Sequence, residues 1–257
     1  MNSDHHRNLA LAIRVVSEAR TLLDYSDAGN QGVEAVIGRE WKITADRELE
    51  EFIIRNLQDK SDYSILSEES GMIEGDGDLT WIVDPLDGSA NFSRNLPFFA
   101  ISVGLWHGAE PLLGAVLEVP AGRLYSGVVG AGAWCNGDPI RSLLGKPQLP
   151  QDGIVCTGYP AGLSHSSRQL QELIEGSQKF GKTRMLGSAA VMLCYVASGR
   201  CDSYFERRIA LWDVAAALAI VRAAGGVIRI FDITADYRLD VEAASCKHLL
   251  MSELSEK

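Results

Sequence analysis

Asp84-Pro85-Leu86-Asp87-Gly88-Ser89 sets two carboxylates three residues apart around a proline, directly after the apolar run Leu79-Thr80-Trp81-Ile82-Val83. Such a run reads as a buried strand, and the end of a strand in an open α/β sheet is where chemistry usually gathers. Paired carboxylates suit a hard cation, which prefers oxygen ligands. The Gly-Ser that follows can open a short helix whose free N–H groups face an anion. Carboxylates for a cation beside amides for an anion describe a metal-dependent phosphate site.

Four further acids stand where strands give way to loops or helices: Asp46, Glu68, Glu69 and Asp213. If they converge with Asp84 and Asp87 on one sheet edge, they could hold two Mg²⁺ ions about 3.5–4 Å apart, one activating water and one steadying the leaving oxygen. Each segment also has a plainer reading. Asp84-Pro-Leu-Asp87-Gly fits a solvated turn. Glu68-Glu69 fits a solvated strand end, Asp46 the N-cap of the helix it precedes, and Asp213 a first-turn acid on a helix dipole.

The surrounding pattern supplies the elements that would place these residues. Leu9, Ile13, Val16 and Leu23 recur at helical spacing over 6–24. Glycines at 29, 32 and 38 mark 29–40 as a mobile loop or hairpin. A second helix follows Asp46 with Leu49, Ile53 and Leu57 on one face. Tyr63–Ser67 predicts a short strand, then an acidic loop at 74–78 and the strand ending at Asp84. Strands at 98–106, 112–119 and 124–129, separated by turns, predict an antiparallel meander, and Cys135-Asn136-Gly137-Asp138 predicts another turn. Residues 143–152, with two prolines, mark the boundary between two units, 1–145 and 146–257. Beyond it strands at 153–158, 183–186, 201–206, 227–231 and 248–252 alternate with helices at 166–180, 188–198 and 212–224, an α/β layer.

Bulk properties narrow the function classes. With 24 Lys+Arg against 34 Asp+Glu the net charge is −10, which disfavours nucleic-acid backbone as a partner and repels a phosphorylated substrate unless cations reverse the local field. The longest apolar stretches, such as 98–106, are too short for a membrane span, and the polar start is no signal peptide. Five cysteines without a C-x-x-C pair read as reduced packing residues of a cytoplasmic protein. His5, His6, His107, His165 and His248 show no metal-ligand spacing, and no G-x-x-x-x-G-K-[ST] loop is present.

The segments Ser67-Glu68-Glu69-Ser70, Trp81-Ile82-Val83-Asp84-Pro85-Leu86-Asp87-Gly88-Ser89-Ala90-Asn91-Phe92 and Trp212-Asp213-Val214-Ala215-Ala216, with Ala224-Gly225-Gly226 downstream, resemble the inositol monophosphatase family of Mg²⁺-dependent sugar phosphatases. They run in the family's order and span nearly the whole chain. The resemblance implies that Glu68, Asp84 and the Leu86 carbonyl hold one metal. Asp84, Asp87 and Asp213 would hold a second, with Mn²⁺ as a possible substitute and a third ion optional. It further implies phosphate on the Gly88 and Ser89 amides, Ser89 and Asp46 helping to deprotonate the nucleophilic water, and Glu69 supporting the ligands. Gly187, Ser188 and Ala189 resemble the family's substrate-side segment. Glu206 stands where inositol phosphatases contact a sugar hydroxyl, or else is a strand-end acid paired with Arg207 or Arg208. One departure lies in Lys42-Ile43-Thr44-Ala45-Asp46, which is shorter than the family's lysine-bearing loop.

The expected fold is α/β: an α+β N-terminal half and an α/β C-terminal half in a layered αβαβα sandwich of the inositol monophosphatase/fructose-1,6-bisphosphatase type. The expected function is hydrolysis of a small sugar or polyol phosphate by metal-activated water, inhibited by Li⁺, in a homodimer. A 3′(2′),5′-bisphosphate nucleotidase or histidinol-phosphate phosphatase is the alternative within this chemistry. A non-catalytic regulatory or binding protein that keeps the fold is the alternative outside it.

Overall fold

The computed structural model describes residues 3–23, 33–37, 40–140, 147, 149–159, 166–231 and 233–254. The N-terminal part supplies α1 (Ser3–Ala19), which ends in a 3₁₀ turn at Arg20–Leu22, a hairpin of β1 (Val33–Ile37) and β2 (Glu40–Ile43), and α2 (Thr44–Gln58). Then come β3 (Ser64–Ser67), β4 (Gly71–Ile73), β5 (Leu79–Asp87), the single helical turn α3 (Ser89–Phe92), and the meander β6 (Ala100–His107), β7 (Glu110–Glu118) and β8 (Arg123–Val128). A last hairpin joins β9 (Gly132–Cys135) to β10 (Asp138–Pro139). Its turn places Asn136 and Gly137 at positive φ, as a two-residue hairpin turn requires. These strands form one eight-stranded sheet in the order β10-β9-β8-β7-β6-β5-β3-β4.

The second sheet draws on β11 (Ile154–Thr157), β12 (Lys182–Arg184), β13 (Ser203–Ala210), β14 (Val227–Phe231) and β15 (Arg238–Ala244), ordered β12-β11-β13-β15-β14. Helices α4 (Ser167–Gln178), α5 (Ala189–Ala197), α6 (Leu211–Ala223) and α7 (Met251–Leu254) flank it. Alternation along the strands sorts side chains into layers. Ile65, Trp81, Val83, Ile101 and Val103 pack against Val15 and Val16 of α1 and Ile53 of α2. Leu66, Ile82, Val116 and Tyr125, from the other face, pack against α5, α6 and the inward side chains Tyr204, Leu239 and Val241 of the second sheet. Val155, Phe205 and Ala244 face outward onto Leu249, Leu250 and Met251. The result is the αβαβα sandwich that the resemblance implies.

Two assignments need correction. Residues 248–252 are a 3₁₀ turn (Lys247–Leu249) leading into α7, rather than a strand. The apolar run there is too short for period to separate helix from strand, and it is buried as a lid over the outer sheet face. Arg238–Ala244, to which no element is assigned from sequence, is the inner strand between β13 and β14. Its alternation of Leu239, Val241 and Ala243 with charged residues was a legible strand signal. The 29–40 segment contains the hairpin, with 29–32 and 38–39 outside the described residues. So do 141–146 and 148, which hold much of the expected boundary.

Helix α6 lies unusually close to the first sheet, and glycine permits it. A Cβ on Gly114 would stand 2.1 Å from the Ala216 carbonyl oxygen, and one on Gly104, its cross-strand partner, 2.9 Å from the Ala216 nitrogen. The Trp106 indole N–H donates to the Ala215 carbonyl at 3.1 Å and fixes the helix along its axis. A glycine in mid-strand ordinarily costs stability relative to alanine. Here the sign reverses: Gly114→Ala is expected to lower unfolding free energy by about 1–3 kcal/mol through overpacking. A urea titration that finds the variant as stable as the parent would show that α6 is free to shift.

Candidate active site

Two acids three residues apart in a regular strand point to opposite faces. Pro85, which has no N–H to donate, breaks the ladder between them. Asp84 pairs with Ser102 and Asp87 with Ala100, so three steps on β5 oppose two on β6. The bulge brings both carboxylates to the face that α6 covers. The Leu86 N–H donates to Asp84 Oδ1 at 3.0 Å and holds the bend. Gly88, at φ +91, then turns the chain into α3.

Asp87 ties the two sheets together. Its Oδ2 accepts the Ser188 hydroxyl at 2.5 Å and the Ala190 N–H at 2.8 Å, and its Oδ1 accepts the Ala189 N–H at 3.3 Å. The carboxylate thus caps α5 from another segment, satisfying donors that a helix start leaves open. Ser188, the N-cap, also accepts the Val191 N–H at 3.3 Å. The Asn91 amide donates to Phe98 O at 2.6 Å and Leu186 O at 2.7 Å. A Cβ on Gly88 would lie 3.1 Å from the Gly187 carbonyl oxygen, so backbone meets backbone at this joint.

The remaining acids arrive from α2 and the β3–β4 turn. Asp46 and Glu50, one helical turn apart, share a face and are both buried. Glu50 Oε1 accepts the Glu69 and Ser70 N–H groups, each at 3.1 Å, and Oε2 accepts the Ser70 hydroxyl at 2.6 Å. This grips the turn that carries Glu68. The Ser89 hydroxyl lies 2.9 Å from Leu86 O and 3.4 Å from Asp46 Oδ1, within reach of either acceptor.

Glu68, Asp84, Leu86, Asp87, Gly88, Ser89, Gly187, Ser188, Ala189, Glu206 and Asp213 all line one cavity of about 370 Å³. Of the expected site residues, Asp46 stands behind the lining, within reach of the Ser89 hydroxyl. The polar groups of Ser188 and Ala189 are committed to Asp87. Glu206 is buried, accepts the Tyr204 hydroxyl at 2.7 Å, and is thereby separated from the arginine pairing that its sequence neighbours suggested. Arg207 pairs instead with Asp240 and Glu242. Glu50, Asn91, Tyr204 and Arg238 contribute without having been assigned roles from sequence. Glu50 was findable by its one-turn spacing from Asp46. Nothing near Arg238 in sequence pointed to the cavity.

The electrostatics are those of an acid cluster in a poorly solvated place. Burial raises Asp84 well above the usual carboxylate range, and Glu68, Asp87, Asp213 and Asp46 raise it further. Asp213 is raised by enclosure and by Glu68, Asp87 and Glu206, with Arg238 opposing. Burial lifts Asp87 to about 6 although three hydrogen bonds oppose it, and lifts Glu206 to about 7. Among the described residues no three acidic, histidine or cysteine side chains close into a ready-made ion-gripping group. The acids that face the cavity nevertheless offer hard oxygens whose charges repel one another, the chemistry that a divalent cation complements. The set fits Mg²⁺.

A model of the inositol monophosphatase family matches residues 29–252. The chain is 35% identical over 211 residues to an inositol-1-monophosphatase of Mesorhizobium japonicum, covering 81% of this chain and 79% of that one. It is 32% identical over 240 residues to the Nus factor SuhB of Escherichia coli K12, covering 91% and 89%. Among solved structures, the extragenic suppressor protein suhB of Bartonella henselae superposes with a TM-score of 0.86 at 29% identity, over 97% of both chains. An inositol monophosphatase from Anabaena superposes with a TM-score of 0.82 at 26% identity, over 99% and 97%.

A carboxyl whose folded pKa is raised favours folding while protonated, and that contribution is lost as pH rises through the folded value. Glu206 therefore makes chelator-treated protein less stable as pH rises from about 4.5 to about 7. Glu206→Gln is expected to flatten this decline by a few kcal/mol in urea unfolding at pH 5 and pH 8. A slope identical to the parent's would show that Glu206 ionises as freely in the fold as out of it.

Proposed function

Since the chain belongs to the inositol monophosphatase family, we propose that it is a Mg²⁺-dependent phosphatase acting on a small polyol or sugar phosphate, of the inositol 1-phosphate kind. What supports this most directly is the gathering of Glu68, Asp84, Asp87 and Asp213 around one cavity beside the Gly88-Ser89 turn. Glu68, Asp84, the Leu86 carbonyl, Asp87 and Asp213 would hold two or three ions. Bound Mg²⁺ supplies a more acidic water and neutralises phosphate charge.

The chain's own groups then divide the work. The Gly88 and Ser89 amides receive phosphate oxygens and fix the phosphorus for in-line attack, since phosphoryl transfer depends on positioning and charge neutralisation. The Ser89 hydroxyl orients the attacking water and passes its proton toward Asp46, whose carboxylate stands 3.4 Å away. Asp213 steadies a water that protonates the departing oxygen. No phosphoenzyme is required. Glu206, held by Tyr204, accepts a hydrogen bond from a substrate hydroxyl, while Gly187, Ser188 and Ala189 form the wall beside it. The division at 145/146, Li⁺ inhibition, a homodimer and a cytoplasmic setting complete the reading. No helix among the described residues is long and apolar enough to cross a membrane.

The test is phosphate release from inositol 1-phosphate, fructose 1,6-bisphosphate, histidinol phosphate and 3′-phosphoadenosine 5′-phosphate with Mg²⁺. A polyol phosphate should be preferred, and Asp84→Asn should lower kcat/KM by roughly 10²- to 10³-fold. Preference for the nucleotide or for histidinol phosphate would move the assignment within the family. Release that survives Asp84→Asn unchanged would sink the site. No release from any of the four would favour the non-catalytic reading, in keeping with the Nus factor name that some relatives carry.

A further inference from the structure

The face of β6 beneath α6 carries a hydroxyl with nothing to bond. Ser102 is 1% exposed, and its Oγ has no hydrogen-bond partner. Buried polar groups in native proteins are nearly always paired, so an exception asks for an explanation. Ser102 lies directly across the ladder from Asp84. Cross-strand partners share a face of the sheet and hold their Cβ atoms about 4.5–5.5 Å apart. On that face the flanking positions of β6 are Ala100 and Gly104, neither of which offers a polar side chain. Above them runs α6, with Ala216 over Gly104 and Asp213 one turn earlier. The unpartnered hydroxyl therefore shares a sheet face with Asp84, beneath the helix that carries Asp213.

Asp84 has room for it. An ionised carboxylate offers about four lone-pair sites. One is taken by the Leu86 N–H at Oδ1, and no other described residue donates to Asp84. Two bound cations would occupy two more, leaving one. A hydroxyl is the donor that can reach it by a change of χ1, because serine rotamers exchange between staggered wells.

We propose that Ser102 is a positioning residue for the cation site: its O–H donates to the Asp84 carboxylate and orients it toward the bound ions. This rests on the metal-dependent reading given above. Partners of metal ligands behave in this way elsewhere, and losing one typically weakens ion binding about 10- to 100-fold. A structural role makes the opposite forecast. If the serine served only to let α6 approach, alanine in its place would leave cation affinity unchanged.

Ser102→Ala separates the two by measurements of opposite sign. The variant removes an unpaired buried hydroxyl, so the thermal midpoint of chelator-treated protein should hold or rise. Direct calorimetric titration with Mg²⁺, repeated with Mn²⁺, should show a Kd weaker than the parent's by roughly 10-fold or more. The midpoint gained on adding saturating Mg²⁺ should shrink accordingly. An unchanged Kd, with or without a fall in the chelated midpoint, would overturn the role of Ser102 and leave the cation site standing. If the parent itself binds neither cation, the metal-dependent reading fails and this inference fails with it.

Discussion

Several carboxylates share one poorly solvated cavity, and the rest of the structure is organised around that cost. Removing a charge from water is expensive, and like charges nearby add to the expense. Asp84 and Asp213 show it most plainly, each raised by burial and by the other acids. Among the described residues no lysine or arginine pairs with Asp84 or Asp87. The fold answers with backbone donors: Leu86 N–H to Asp84, and the start of α5 to Asp87. Arg238 opposes the raised value of Asp213. The cluster is therefore held in place while keeping a net demand for positive charge.

Three devices place the acids. A proline bulge gives Asp84 and Asp87 the same face. Glu50, itself buried, anchors the turn that carries Glu68. A glycine-lined bed lowers α6 onto the sheet so that Asp213 reaches the same cavity. None of these works through the acid it positions. Each acts through backbone geometry, a hydrogen-bonded anchor or close packing, which explains why small residues and amide groups recur around the site.

The segments that carry charge or break the chain were the easiest to read. Asp84, Pro85, Asp87 and Gly88 declare a bent strand end by residue type alone, and the meander after it follows from alternation and turns. Helices α1, α2 and α6 follow from apolar period and length. The strand at 238–244 alternates cleanly, whereas the apolar stretch at 248–252 reads as a strand and folds as a 3₁₀ turn leading into α7. Short elements take their state from what covers them, and here α7 lies over Val155 and Phe205.

What the sequence by itself determined was the chemistry on offer: hard oxygen donors next to a glycine turn, in an order and spacing that the family shares. It also determined which residues must be buried. Only the tertiary structure decided that Asp87 caps a helix from the other sheet and that Ser102 lies opposite Asp84 without a partner. The reason is the range of the interactions. Propensity, period and turn chemistry act over a few residues and are written locally. Pairing across a ladder or between sheets joins positions up to about a hundred residues apart, and the chain must close before such groups can meet.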